Sequence, residues 1–156
     1  TSFRAVNIKQ FENKDFTDFS KPQTNVVLTN FSLINESDGE AVTKGLIKEA
    51  IFINQGCSFS LNKTIISGFE TALLLSSNIE IKPDNINKIK LKKVFFNNCE
   101  KNITSQLGTT ESDDLESMYA AAIYGNVYYK ASATDIFNDP LNERTPDYRI
   151  KISGVK

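Results

Sequence analysis

The feature that most constrains the fold is a repeat with a spacing of thirty residues. Residues 61–70 read Leu-Asn-Lys-Thr-Ile-Ile-Ser-Gly-Phe-Glu, and residues 91–100 read Leu-Lys-Lys-Val-Phe-Phe-Asn-Asn-Cys-Glu. Each segment starts with Leu, continues through two polar residues and three strand-type residues, and ends in a small polar turn with Glu. Repeats of about 20–45 residues made of short strands and turns are typical of stacked solenoids. The spacing therefore predicts a stack of coils.

Two strand patterns recur around this repeat. The first, Leu-x-x-apolar-x-apolar, is found at 28–33, 61–66 and 91–96, with a weaker copy at Ile123-x-x-x-Val127-x-Tyr129. The second begins at Ala50 and again at Ala72, with weaker copies at Asn102 and Ala122. Alternating apolar residues at 3–13 indicate a further strand. We expect each coil to hold one strand of each pattern.

Two insertions lengthen the coils, at 79–86 and at 107–118. Insertions in solenoids are normally loops, and they often line a binding face. Residues 134–156 differ from the repeats, and the alternation of Tyr148, Ile150 and Ile152 predicts a closing strand. We expect one domain over 1–156, with coils in 24–133 and residues 134–156 as a C-terminal cap, which the exposed end of a solenoid requires.

The fold predicted is all-β: a short right-handed parallel β-helix of four to five coils with a C-terminal cap. The alternative is an antiparallel β-sandwich, because short strands with turn signals every ~8–12 residues fit that architecture too. The recurrence of the same strand patterns in successive coils favours the solenoid.

Residues 64–77, 94–103, 135–140 and 147–151 give the chain, over 24–152, a resemblance to the pectate-lyase-like superfamily of right-handed parallel β-helices. The last two segments resemble the C-terminal closure of exported bacterial β-helix proteins, including those of polysaccharide-utilising bacteria. The resemblance implies the fold and an extracellular or bacterial cell-surface location, surface lipoproteins among the options. It does not imply one activity, because the superfamily includes lyases, hydrolases, esterases, adhesins and passive surface proteins. It also implies either the C-terminal part of a longer β-helix or a short one whose N-terminal coil is covered by another segment or a partner protein.

Composition removes several function classes. Histidine is absent, so the commonest general base, the usual zinc ligand and every Ser-His or Cys-His pair are absent too. The formal net charge of −1 argues against a nucleic-acid partner, which usually needs a basic excess. No apolar run reaches ~18 residues, so no membrane span is expected. We expect no cofactor, no metal site and no catalytic constellation.

The strongest candidate binding residues are Lys88, Lys90 and Lys92. Strand alternation places Ile89 and Leu91 inside and the three lysines outside as a positive ridge. Such a ridge could contact an anionic polysaccharide, but it could equally be a solvated face whose lysines discourage edge pairing.

A tyrosine cluster at 119–129 gives one more candidate, Tyr128. If Val127 and Tyr129 point inward, Tyr128 points outward, where its ring could stack on a sugar. The alternative is ordinary core packing.

Other candidates are weaker. The acidic residues at 111–116 could ligate calcium, or could favour a short helix capped by Ser112. The resemblance makes arginine a candidate for the proton-abstracting base of a lyase, but the arginines at positions 4, 144 and 149 lie off the expected coil strands. Arg149 is expected to pair with Asp147 or Glu143. No carboxylate pair for glycoside hydrolysis lies on an expected strand. Cys57 and Cys99 are interpreted as buried thiols at similar places in successive coils, with one disulfide as the alternative.

The function predicted is non-catalytic: a secreted or cell-surface module that binds a polysaccharide or a partner protein. Two alternatives remain open. One is a C-terminal fragment of a polysaccharide lyase or glycoside hydrolase, and the other is a structural subunit of a surface assembly.

Overall fold

The computed structural model describes residues 3–9, 24–35, 47–142 and 144–151. The strands are β1 Phe3–Ile8, β2 Thr24–Thr29, β3 Ser32–Ile34, β4 Ile47–Ile53, β5 Cys57–Ser67, β6 Thr71–Leu75, β7 Ile89–Asn97, β8 Lys101–Ser105, β9 Val127–Tyr129, β10 Phe137–Asp139 and β11 Asp147–Ile150. The helices are α1 Pro83–Ile86, α2 Thr109–Tyr119 and α3 Ala133–Ile136. The all-β class is therefore confirmed.

The strands form two parallel sheets and one small hairpin. Sheet A has the order β1-β4-β6-β8, and sheet B has the order β2-β5-β7-β9, with β3 beside the second half of β5. Successive strands from β4 to β9 alternate between the two sheets. Every pair within sheets A and B is parallel, and only β10 and β11 pair antiparallel. The alternative of an antiparallel β-sandwich is therefore wrong.

The register of these sheets confirms the repeat. Leu61 lies opposite Leu91 and Ile66 opposite Phe96, as the thirty-residue spacing predicts. Leu28 lies opposite Leu61 in the preceding strand. In sheet A the second pattern is equally regular, because Ile51, Leu73 and Ile103 occupy one column. Strand β1 pairs with β4, so sheet A begins upstream of residue 24.

The inward residues of both sheets form one apolar core. Ile51, Leu73, Leu91, Phe96 and Ile103 are all completely buried within it. Burying such a side chain contributes about 1.5–3 kcal/mol relative to leaving it exposed. Because alternate residues of a strand point to opposite faces, the register that fills this core also fixes which residues form the outer face of each sheet.

Four residues with left-handed backbone geometry lie in the middle of sheet B. These residues are Asn30, Lys63, Lys93 and Gly125, with φ of 54°, 51°, 55° and 62°. The pairing on either side of them places them in one column across the sheet. A left-handed residue interrupts extended geometry, so each strand of sheet B turns at this column. We refer to these four residues as the left-handed column.

Helix α2 packs against β8, the edge strand at the end of sheet A. Its Leu115 and Tyr119 are buried in the main core. Residues 107–118 lie mostly in this helix, so the loop expected for an insertion is wrong and the alternative of a short helix is confirmed. Ser112 lies inside the helix, so its expected role as the cap is wrong. The expected strand copy at Ala122 is also wrong, because residues 120–124 form turns and a bend.

The C-terminal segment lies along the side of sheet B. Its buried residues Ala133, Ile136 and Phe137 pack against Ile34, Ile65 and Phe95, which belong to β3, β5 and β7. Asn97, also buried, anchors this segment by donating to the Ala131 carbonyl at 3.2 Å and accepting from the Ala131 N–H at 3.1 Å. The alternation of Tyr148 and Ile150 does form strand β11, while Ile152 lies outside the described residues.

Both cysteines are buried. Their positions differ, because Cys57 begins β5 whereas Cys99 follows the end of β7. The expectation of similar places in successive coils is therefore wrong.

Candidate functional site

The three predicted lysines lie on the outer surface of sheet B. Lys88 precedes β7, Lys90 and Lys92 lie within it, and all three are exposed. The intervening Ile89 and Leu91 are buried. Alternation along the strand is therefore confirmed, and it spaces the lysine Cα atoms by roughly 6.6 Å. We refer to Lys88, Lys90 and Lys92 as the lysine row.

The lysine row continues columns of polar residues from the neighbouring strands. Ser60 lies beside Lys90, and Asn62 lies beside Lys92. Beyond them, Thr29 of β2 continues the column of Lys92, whereas the column of Lys90 ends in the exposed, apolar Val27. Neighbouring strands lie about 4.8 Å apart, so hydroxyl, amide and ammonium groups form a close-spaced lattice on one face.

This face carries charge of one sign. The strands of sheet B contain four lysines, at 63, 90, 92 and 93, and no Asp or Glu. In the described part of the chain, no ion pair involves a residue of the lysine row. Sheet A differs, since Arg4 pairs with Glu49 at 3.8 Å and Lys48 pairs with Glu70 at 2.9 Å. The chain is nearly neutral as a whole, but sheet B is a local cationic surface.

An apolar groove borders the lysine row. It has a volume of about 360 Å³ and lies between β7 and the segment that follows α2. Lys90 and Lys92 form part of its lining, together with Met118, Ile123 and Tyr124. Ile123 is 81% exposed, and the Tyr124 ring packs on Tyr119 at 5.5 Å between centroids. The groove therefore places apolar surface directly beside two ammonium groups.

Lys88 lies at a different recess. This cavity of about 310 Å³ is mostly polar, and its lining includes Asn54, Asn78, Glu80 and Asn85. The lysine row thus runs from a polar recess at Lys88 to the apolar groove at Lys90 and Lys92.

The structure reverses the expected orientation of the β9 side chains. Val127 and Tyr129 are 47% and 52% exposed, whereas Tyr128 is half-buried and stacks on Phe96 at 5.2 Å. The sequence pattern set Tyr129 opposite Phe96, but Tyr128 occupies that place. A slip of one residue moves every side chain to the other face. Tyr128 is therefore not an outward stacking ring, and burial raises its pKa.

The other candidates lie elsewhere. Asp113 and Glu116 of α2 line a cleft of about 630 Å³ beside β8, where Glu116 accepts from the Asn102 amide at 3.0 Å. Among the described residues, no three acidic or cysteine side chains converge in a way that could hold a metal ion. The expected pair of Arg149 and Asp147 is confirmed at 2.6 Å, and it holds the pKa of Asp147 well below its usual value. The expectation that Arg4 lies off the sheet strands is wrong, because Arg4 lies on β1 of sheet A, with its guanidinium 3.8 Å from the Phe52 ring centroid.

Sequence reasoning missed two parts of this face. Lys63 and Lys93 were not singled out, although aligning the repeats sets them in register with Asn30, a residue type that often adopts left-handed geometry. The groove residues Met118, Ile123 and Tyr124 carried no recognisable signal, because their grouping depends on how the turn after α2 folds back.

No known protein family, no curated protein and no solved structure matches this chain. None of the helices in the described ranges has the length and apolar character needed to cross a bilayer.

Proposed function

We propose that the chain is a non-catalytic, extracellular or bacterial cell-surface module that binds an acidic polysaccharide on the outer face of sheet B. The observation that carries this proposal is the lysine row, which lies beside Ser60 and Asn62 on a sheet whose strands hold no Asp or Glu. Lysine is a compact cation that binds carboxylates as a point charge. A polymer of uronic acids presents such carboxylates at regular intervals.

We further propose that the two sheets are faces of a short right-handed parallel β-helix. The alternation of strands between the sheets and the aligned left-handed column support this architecture. The right hand is inferred from the strong preference of parallel connections for that hand. The part of sheet B before the left-handed column has a regular outer face, which suits a repeating ligand, whereas the part after it is covered by the C-terminal segment.

The chemistry of the face favours an acidic sugar over a simple anion. Single exposed ion pairs contribute only about 0.2–1 kcal/mol, so three lysines alone bind a small anion weakly. A polymer contacts several of them at once, and each additional contact is made at a high effective concentration. The apolar groove beside Lys90 and Lys92 can take the C–H face of a sugar ring, with Tyr124 as the aromatic partner.

The test is calorimetric titration with polygalacturonate and with its fully methyl-esterified form, which has the same backbone without the charges. We expect the acidic form alone to bind. A variant with Lys88, Lys90 and Lys92 all changed to Gln should lose at least tenfold in affinity. The control with Lys9, Lys101 and Lys130 changed to Gln alters net charge equally and should stay within about twofold.

Equal losses in the two triple variants would show that net charge, not this face, governs binding. Failure of every acidic glycan to bind would overturn the proposal. Absorbance from unsaturated uronate ends during incubation would instead identify a lyase.

A further inference from the structure

The left-handed column holds two lysines where the other coils have the residue types that suit this geometry. Gly and Asn are the residues that adopt left-handed backbone most readily, and they occupy the first and last positions, Asn30 and Gly125. Lys63 and Lys93 occupy the two positions between them, with φ of 51° and 55°. Lysine has no side-chain group that compensates for this geometry locally.

The two lysines are neighbours across sheet B. Asn62 pairs with Lys92 and Thr64 with Val94, so Lys63 and Lys93 stand side by side on adjacent strands. Both side chains are exposed, and neither makes an ion pair with a described carboxylate. A Cβ added at Gly125 would lie 3.6 Å from Cγ of Lys93, so the stem of Lys93 lies close to the next coil. The pair therefore presents two positive charges at the turn of the sheet, next to Lys92.

The left-handed geometry of this column belongs to the turn of the sheet, and residues other than glycine and asparagine adopt it with backbone strain. Lys63 and Lys93 lie at this turn, whereas the lysine row lies along the stretch of chain that leads to it. The two groups together present five exposed lysines to one ligand. Asn at either position would relieve backbone strain but remove the charge.

We propose that Lys63 and Lys93 form a carboxylate-binding pair that extends the lysine row around the corner of sheet B. The pair determines specificity for a uronate polymer by holding one carboxylate between two ammonium groups, while the row contacts the following sugars. This inference rests on the proposed function of the same face.

The test replaces both lysines with Asn, which favours the left-handed backbone. We expect the K63N/K93N variant to melt at the same or a higher temperature than the wild-type chain, yet to bind polygalacturonate about tenfold more weakly. K63R/K93R keeps both charges and should bind within about threefold of wild type. The control K9N/K101N removes two lysines elsewhere and should not change affinity.

The possible outcomes distinguish a failure of this inference from a failure of the proposed function. If the lysine-row variant loses binding while K63N/K93N keeps it, the pair is not a binding element and only this inference fails. If the wild-type chain binds no acidic polysaccharide, both fail. If K63N/K93N and K9N/K101N lose affinity equally, the effect is one of net charge and the pair is overturned.

Discussion

At the residue scale, the Asn126 side chain makes hydrogen bonds to β7 where no described strand lies beside it. Strand β9 pairs with β7 only at residues 95–97, so the first half of β7 has no strand beside it on that side within the described residues. The Asn126 amide donates to the Leu91 carbonyl at 3.3 Å and to the Tyr119 carbonyl at 2.9 Å, and its oxygen accepts from the Val94 N–H at 3.0 Å. Tyr119 donates to the Ile89 carbonyl at 2.7 Å. These side chains thus form hydrogen bonds with backbone N–H and C=O groups of β7. On an exposed edge strand, such groups would be free to pair with a strand of another molecule.

We expect Asn126→Ala to lower the free energy of unfolding by about 2–3 kcal/mol, since three hydrogen bonds are lost at about 1 kcal/mol each. Urea denaturation followed by circular dichroism measures the change. Asn138→Ala is the matched control, because the Asn138 amide makes one long contact of 3.5 Å to Asp147 in an exposed hairpin. The control should change stability by less than about 0.5 kcal/mol. Equal effects would show that Asn126 has no special role at this edge.

Burial raises the pKa of Tyr119 and of Tyr128 well above the ordinary value of about 10. Their stabilising contribution is therefore fully present below pH ~10, where both folded and unfolded chains hold the neutral phenol. It is lost as pH rises toward the folded-state pKa, because only the unfolded chain ionises easily. We expect ultraviolet titration to show that two of the five tyrosines ionise only with unfolding. Ionisation of all five in one reversible step below pH ~11 would contradict this.

At the scale of elements, the sequence predicts the middle of each sheet well. The columns of Leu28, Leu61 and Leu91, and of Ile51, Leu73 and Ile103, follow from spacing alone, because parallel strands with identical inward patterns can stack in only one register. Exposure of the lysine row followed from the same alternation. These features depend on the local alternation of apolar and polar residues, which can be read from a single sequence.

The failures share a different physical cause. The predicted register of β9 is wrong by one residue, because the predicted motif allowed an extra residue between Ile123 and Val127. No local sequence feature decides where so short a strand begins. The spacing from the left-handed column would have decided it, since Gly125 aligns with Lys93 and so sets Tyr128 opposite Phe96. The sequence left a loop and a short helix open at residues 107–118, because their polar composition hides two inward positions, Leu115 and Tyr119.

One buried side chain supplements the apolar contacts that hold the C-terminal segment to sheet B. Asn97 holds the Ala131 backbone through both of its amide atoms and also donates to Ser67 Oγ at 2.9 Å. We expect Asn97→Ala to release residues 131–151 while β5 and β7 stay paired, because the two strands share a core that does not involve this segment. Hydrogen exchange should therefore speed up in β10 and β11 and remain slow in β5.

Asn142→Ala provides the control for this experiment. The Asn142 side chain bonds only within the hairpin loop, to Asp139, Arg144 and Thr145. It should increase exchange near the loop alone. Faster exchange across the whole chain in the Asn97 variant would show instead that the segment is required for the stack.

At the scale of the whole molecule, charge differs between the sheet strands and the rest of the chain. A net charge of −1 suggests a chain with no preference for anions, yet β5 and β7 of sheet B hold four lysines and no Asp or Glu, and the strands of sheet A hold three cationic residues beside Glu49. Composition averages over all segments and cannot show this, because the position of each side chain is set by register and by the turn at the left-handed column. The groove along β7 adds apolar surface beside Lys90 and Lys92.

The most direct test of the proposed function is a titration of the ¹⁵N-labelled chain with oligogalacturonate, followed by amide chemical shifts. The account predicts saturable shifts at residues 60–63 and 88–93, with further shifts at 123–124 in the groove, all of which weaken as salt is added. Sheet A amides at 47–53 should not move. Amide shifts confined to the cleft beside α2 would contradict the proposed binding face. The absence of any amide shift, at ligand concentrations that saturate binding of the acidic polysaccharide, would contradict it too.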